Sequence, residues 1–419
     1  MDQEAPASTT PETKVVAPTS LAPSTPVHKK SWLMWGLLAL GIVVLGAGGG
    51  WYVTSFSKTP TTKLATYFTY TAEEMSSLKG LSSAERLSVD DLYRWDQNAF
   101  DTAAREQTLD VGGDAAKLNA YLAVAERDFA YLAYNISGQF EGNFDQLSKD
   151  IVCSFFKKYC SGIVVQGTQD AFSVALSAIV MKKVTARMAE DQAGLKDYEI
   201  KSGAEYWDGI QPSAGLNAGS SLGWFITSGA QFRAPPPPAF DSEEFKKQVA
   251  TTKEFLAKAT AEQKRATVFW AGVPGTKTPP GQILQLGDVY MQEKSVPLQK
   301  ALLVRSVLAM AVADAVTAVF DSKYTYWVRR PFMMDPSIKS IMPTPNHPSY
   351  AAGHSTLSAA GTTVLKHYFP EDTTMWDAKA YEAGMSRVWG GIHYVMDHEA
   401  GVAIGKSVGT VAVEAPSSK

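Results

Sequence analysis

The pattern of apolar and polar positions divides the chain into three stretches. Residues 1–31 are Pro, Thr, Ser and Ala with almost no bulky apolar side chain before Trp32. Such a stretch cannot bury enough surface to offset the entropy of ordering it, so a disordered tail is expected. Next comes WLMWGLLALGIVVLGAGGGWYV, Trp32–Val53, without a single charge. Roughly 20 apolar residues suffice to cross a bilayer, and Trp32, Trp35, Trp51 and Tyr52 mark both ends as interfacial aromatics do. We therefore expect a transmembrane anchor over residues 32–55. His28, Lys29 and Lys30 precede it, against Lys58 and Lys63 beyond it. This asymmetry predicts a single-pass topology with a cytoplasmic N-terminus and an extracytoplasmic body. A cleaved signal peptide is the rival reading; the long leading tail and the lack of an Ala-x-Ala end favour the anchor.

From Thr61 onward the periodicity is helical. Lys117–Ile136 repeats apolar residues at Leu118, Leu122, Ala125, Phe129 and Leu132, and Asp170–Met188 does so through Val174, Ile179, Met181 and Val184. Residues 190–239 change character to Gly, Ser, Trp and Tyr and end in the tetraproline Pro235–Pro238, which predicts a long ordered loop. Helices resume over 242–271, with Asp241 or Ser242 as N-cap, then over 281–293 and 295–320. Another is expected from His354–Ser355 to about His367. Strand alternation with hairpin signals is scarce, so residues 61–419 are expected to form one all-α domain.

Composition narrows the partners. A net charge of −3 argues against nucleic acid and leaves no polybasic membrane patch. The two cysteines, Cys153 and Cys160, would stand roughly 10 Å apart on one continuous helix, too far to bridge. A broken helix in an oxidising compartment could join them. Five of the six histidines fall in the last third of the chain: His347, His354, His367, His393 and His398. That clustering points to where the chemistry sits.

Three clusters there carry chemical potential. In KYTYWVRRP, Lys323 and Arg330 would share a helical face if the helix persists, two fixed cations suited to a phosphate-like anion. In PNHPSYAAGHS, Gly353 permits close backbone approach, and His354 stands at a helix start where it can act as acid or base beside an oxyanion. In MSRVWGGIHYVMDHEAG, a helix over 392–402 would put His393 and Asp397 one turn apart. Asp397 would then hold one imidazole nitrogen and leave the other free as nucleophile or ligand, with Arg387 nearby. Taken singly, each has a plain alternative: a solvated helix end, a capped helix start, a surface hydrogen bond.

Together, in the order Lys-x6-Arg-Pro, Gly-His, Ser-Arg-x5-His-x3-Asp, they resemble the signature of the type-2 phosphatidic-acid phosphatase and vanadium haloperoxidase superfamily. Residues 266–282, the stretch Leu308–Ala315 and the region of Trp95 resemble the soluble haloperoxidase branch. The likeness spans roughly Thr61 to the C-terminus. It implies an all-α helical bundle, preceded here by one transmembrane helix. Lys323, Arg330 and Arg387 would neutralise the equatorial oxygens of phosphate or vanadate, and the Gly353 amide would add a hydrogen bond. His354 would be the acid–base group, His393 the phosphoryl acceptor or vanadium ligand, and Asp397 its orienting partner.

Two details bear on the branch. The usual Pro-Ser-Gly-His reads Ala351-Ala352-Gly353-His354 here, so one hydroxyl donor is missing, a loss on the order of 2.7–4 kcal/mol in a preorganised site. Ser349 and Ser355 are the candidates to replace it. His347-Pro348-Ser349-Tyr350 resembles the bromoperoxidase form of the motif and makes His347 a halide-site candidate. The expected activity is vanadate-dependent halide oxidation with peroxide. The alternatives are phosphomonoester hydrolysis through a phosphohistidine and a weakly active phosphate-binding domain.

Overall fold

The computed structural model describes residues 64–415, apart from residues 107 and 109; the expected tail and anchor lie outside the described residues. The elements are α-helices, with short 3-10 turns and two isolated β-bridges. In chain order they are α1 (Val89–Arg105), α2 (Val111–Ser137), α3 (Asp145–Phe155), α4 (Ala171–Gly194), α5 (Glu243–Lys258) and α6 (Ala261–Phe269). There follow α7 (Thr278–Glu293), α8 (Leu298–Tyr326), α9 (Pro331–Met334), α10 (Gly353–Tyr368), α11 (Thr373–Trp389) and α12 (Val395–Glu414).

Several helix starts are written locally. Ser88 and Asp91 form a reciprocal capping box on α1, as Thr260 and Gln263 do on α6. Asp170 caps α4 through the Ser173 amide, and Ser242 caps α5 through that of Phe245. In contrast, no side chain caps α10.

Helix α8 is apolar on nearly every face. By length and hydropathy it could cross a membrane, yet its most apolar stretch is 94% buried inside the bundle. A helix hydrophobic all round is a core helix, and α2, α7, α10 and α12 surround this one. Its polar residues have specific partners. The Asp314 carboxylate accepts the amides of Trp224, Phe225 and Ile226 at 2.8, 2.7 and 3.1 Å. Asp321 pairs with Arg233 at 2.6 Å and accepts the Tyr198 hydroxyl. These bonds fasten the loop after α4 to the core, as a stretch rich in backbone polar groups requires. Elsewhere on α8, Arg305 bonds Asp96 and lies 2.9 Å from Glu126 and 3.7 Å from Asp288. One guanidinium thus joins α1, α2 and α7 to α8.

Helices α10 and α12 meet along Gly401, Gly405 and Gly409, spaced at i, i+4 and i+8 on one face. A Cβ on Gly401 would sit 2.6 Å from the Ala352 carbonyl oxygen, and one on Gly405 would strike the Thr356 carbonyl. Backbone therefore lies against side-chain-free backbone. The contact brings the start of α10 to the start of α12, where the Ala352 amide donates to the Asp397 carbonyl at 2.9 Å.

Helix α3 ends at Phe155 and a 3-10 turn follows, so Cys153 and Cys160 are not on one continuous helix. Their Cα atoms are 5.4 Å apart and they are disulfide-bonded.

Substituting Gly405→Val is expected to cost about 3 kcal/mol, the upper end for overpacking, because the new side chain meets backbone. The exposed neighbour change Lys406→Ala is expected to cost under about 0.5 kcal/mol. Urea denaturation of both variants checks this.

Candidate functional site

Four chain segments end at one point in the bundle. Helix α8 delivers Lys323 from its last turn and then stops, because Trp327 takes a left-handed conformation with φ 52°. The chain turns, and Arg330 arrives as the residue before Pro331, not on the face of a continuing helix. Both cations are fully buried. Helix α10 presents Gly353 and His354 in its first turn, and α11 carries Arg387 in its last. His393 lies two residues before α12, and Asp397 within its first turn. The expected helix over 392–402 thus begins three residues late, yet the histidine and aspartate still meet.

The hydrogen bonds fix the chemistry of each group. Lys323 Nζ donates to the carbonyls of Pro348 and Ser349 at 2.8 and 2.9 Å. Arg330 donates to the His347 carbonyl at 3.0 Å and the Ile392 carbonyl at 2.9 Å, and its Nη1 lies 3.0 Å from His393 Nε2. Arginine has only donors, so Nε2 is the unprotonated nitrogen. His393 Nδ1 therefore carries the proton and donates to Asp397 Oδ2 at 2.8 Å. The same oxygen accepts the Ser349 hydroxyl at 2.5 Å and the Tyr394 amide at 3.1 Å. His354 Nε2 donates to the Trp270 carbonyl at 2.7 Å, leaving Nδ1 to take a proton. Arg387 donates to the Thr267 carbonyl at 2.7 Å and to Ser386 Oγ at 3.0 Å. Its Nη1 is buried without an acceptor among the described residues.

Positive charge is in excess here. Lys323, Arg330 and Arg387 are buried together, and Asp397 is committed to His393. Burial, and then the neighbouring Arg330, holds the Lys323 ammonium well below its ordinary range. Burial lowers Arg330 to about 10 and Arg387 to about 9. His354 is lowered by burial and Arg387, His393 by burial, Arg330 and Lys323, and His347 by burial, Lys323 and Arg330. Burial pushes Asp397 up to about 6. Burial is the first cause of each basic group's shift, and neighbouring cations add to it at Lys323 and the three histidines, an environment that an anion would relieve.

The fit to an oxyanion is direct. Arg387 has a buried donor to spare, the uncapped start of α10 offers backbone amides, and a Cβ on Gly353 would meet nothing within 4 Å. Lys323, Arg330, Arg387, the Gly353 amide and His354 could hold phosphate or vanadate. His393 Nε2 could ligate it by giving up its contact with Arg330. Neither candidate to replace the missing hydroxyl at Ala352 stands free: Ser349 is engaged by Asp397, and Ser355 Oγ lies 2.9 Å from His398 Nδ1. The His347 ring is 3.0 Å from Arg330 Nη2 and packs edge-on to Phe320. Lys323, His347, Gly353, His354 and His393 line a cavity of about 710 Å³.

The carbonyls of Trp270, Thr267 and Ile392 are site groups with no sequence signal, since every residue has one. Ser349 as a partner of Asp397 is equally silent, being 48 residues away.

Residues 302–418 match the family described as the PAP2 superfamily. The bacitracin transport permease protein BcrC of Bacillus licheniformis is 23% identical over 122 residues, 29% of this chain and 59% of that protein. The match thus spans about three fifths of the curated relative. Among solved structures, a bacterial vanadium-dependent iodoperoxidase is similar over 80% of this chain and 98% of its own, with a TM-score of 0.66 and 20% identity. The holo form of a bacterial vanadium-dependent chloroperoxidase is similar over 84% of this chain and 98% of its own, with a TM-score of 0.52 and 13% identity. At these identities the likeness is one of fold.

Two outcomes follow from the charge balance. Inorganic phosphate or vanadate at about a hundred times its Kd is expected to stabilise the protein by about 2.7 kcal/mol, and Arg387→Met is expected to abolish most of that gain. In the ligand-free protein the three lowered histidines leave the unfolded chain binding more protons as pH falls through 6.5. Stability is therefore lost on acidification from that point, while Asp397 works the other way between 3.8 and about 6. Thermal melts across pH, with and without phosphate, check both.

Proposed function

We propose that this chain, whose residues 302–418 match the PAP2 superfamily, is a membrane-anchored, vanadate-dependent haloperoxidase. The observation that carries the oxyanion chemistry is the set of three buried cations around His354 and His393, answered by one carboxylate, Asp397. The similarity in fold to two bacterial vanadium-dependent haloperoxidases over at least 80% of the chain favours this branch. Vanadate, when bound, supplies a Lewis acid that activates peroxide without changing oxidation state.

The chain's own residues do the rest. Lys323, Arg330 and Arg387 offset the charge of the oxyanion, and the Gly353 amide adds a directional donor. Asp397 holds the His393 Nδ1 proton, so that Nε2 presents its lone pair. His354, neutral in the ligand-free site, receives a proton from peroxide at Nδ1 and returns it to the departing oxygen. His347, at the cavity wall beside Arg330, is assigned to the halide. The balance is one peroxide, one halide, one proton and one organic C–H giving one carbon–halogen bond and two waters.

A second reading, phosphomonoester hydrolysis, uses the same cradle: His393 attacks phosphorus and His354 protonates the leaving oxygen. The cavity favours it to the extent that about 710 Å³ leaves room for the organic part of an ester. Anchoring through residues 32–55 with the body outside the cytoplasm belongs to this proposal, supported by the Cys153–Cys160 disulfide.

The test uses protein purified without phosphate. With orthovanadate, peroxide and bromide, dye bromination is expected, and His393→Ala is expected to abolish it. Hydrolysis of a phosphate ester, inhibited by vanadate, in place of bromination would establish the second reading. Ala352→Ser is expected to raise turnover by about 10²-fold if the missing hydroxyl limits the site.

A further inference from the structure

The cavity is far larger than peroxide and halide need. At about 710 Å³ it falls in the range of sites that enclose a whole organic molecule. Its inner wall holds Lys323, His354 and His393. Its outer wall is formed by α2 and the end of α4, with Asp110, Asp114, Lys117 and Asp191. Apolar and aromatic side chains complete the lining, among them Tyr121, Phe155 and Met188.

The outer polar groups are unequal. Lys117 Nζ pairs with Asp191 at 2.8 Å, and Asp191 also accepts the Leu222 amide. Asp110 accepts the Gly215 amide at 2.5 Å. The Asp114 amide donates to the Asp110 carbonyl at 3.1 Å, while its carboxylate has no hydrogen-bond or ion-pair partner among the described residues. With one ammonium against three carboxylates, the outer wall is negative while the inner wall is positive. Burial, then the Asp110 charge, pushes Asp114 up to about 6 against the smaller pull of Lys117, whose ammonium is paired with Asp191.

We infer that the cavity binds an organic substrate with an apolar body and a protonated amine, the amine seated at Asp114 and the body extending towards His354. The charge gradient orients such a molecule. Its cation is repelled by Lys323 and Arg330 and drawn to the mouth, so the apolar part faces the reaction centre. An organic anion would meet the opposite field and compete for the cradle. The inference rests on the proposed function for what happens at the inner end, but the amine seat is a property of the outer wall.

Tyramine and tyrosol form a matched pair, the same phenol bearing an ammonium or a hydroxyl. Calorimetric titration into the protein, with inorganic phosphate filling the cradle, should give tyramine an advantage of about fivefold. Asp114→Asn keeps shape and removes the charge. It should equalise the two phenols while leaving the affinities for tyrosol and phosphate unchanged. Equal binding by the unsubstituted protein, or an advantage that survives Asp114→Asn, overturns the inference. Halogenation of the same phenols with vanadate, peroxide and bromide separates the two claims. A binding advantage without halogenation of either phenol would sink the haloperoxidase reading and leave the amine seat standing. Halogenation without a binding advantage would sink the amine seat alone.

Discussion

Buried positive charge with too little negative charge to answer it is the constraint on which this structure turns. Lys323, Arg330 and Arg387 are withdrawn from water at the meeting point of α8, α10, α11 and α12. Burying an ion is costly unless it is paired or fully hydrogen-bonded. The protein meets that cost with backbone carbonyls, from His347, Pro348, Ser349, Thr267 and Ile392. Carbonyl dipoles hold the cations without neutralising them, and the charge stays available to a ligand. A carboxylate in their place would make a more comfortable core and a poorer oxyanion site.

The rest of the bundle holds this unfavourable arrangement in register. The glycine face of α12 lets α10 lie close enough for the Ala352 amide to reach the Asp397 carbonyl, which couples the position of His354 to that of His393. Arg305 draws buried carboxylates from three helices onto α8. Asp314 and Asp321 tie the loop after α4 to α8, and with it part of the cavity wall. The start of α10, like those of α7, α8 and α11, has no side-chain cap, and its free amides open onto the site that the cations line.

One cradle of this kind serves phosphoryl transfer and vanadate chemistry alike, since both place a trigonal-bipyramidal oxyanion between the same donors. Discrimination therefore lies outside the cradle. In the proposed function, Ala352 in place of a hydroxyl, the imidazole of His347 beside Arg330 and the lining of the cavity are the features that would distinguish the two chemistries.

The helical content was legible in the apolar spacing, because a 3.6-residue period survives whatever it packs against. Asp241 or Ser242 could be read as a cap for the same local reason, and Ser242 is the one that caps. The residue types at the cradle were equally legible: Lys323, Arg330, Gly353, His354, Arg387, His393 and Asp397 stand out by chemistry and spacing. Geometry between them was not. The spacing put Lys323 and Arg330 on one helical face, but α8 stops at Tyr326, and a left-handed Trp327 sends Arg330 to the site by another route. The pairing of Ser349 with Asp397 and the carbonyls that hold the cations join residues distant in the chain, and the cavity brings Asp114 into one lining with His354. Sequence by itself determined which charges and helices are present. Only packing decided which charges are buried without a counter-ion, because desolvation depends on neighbours in space.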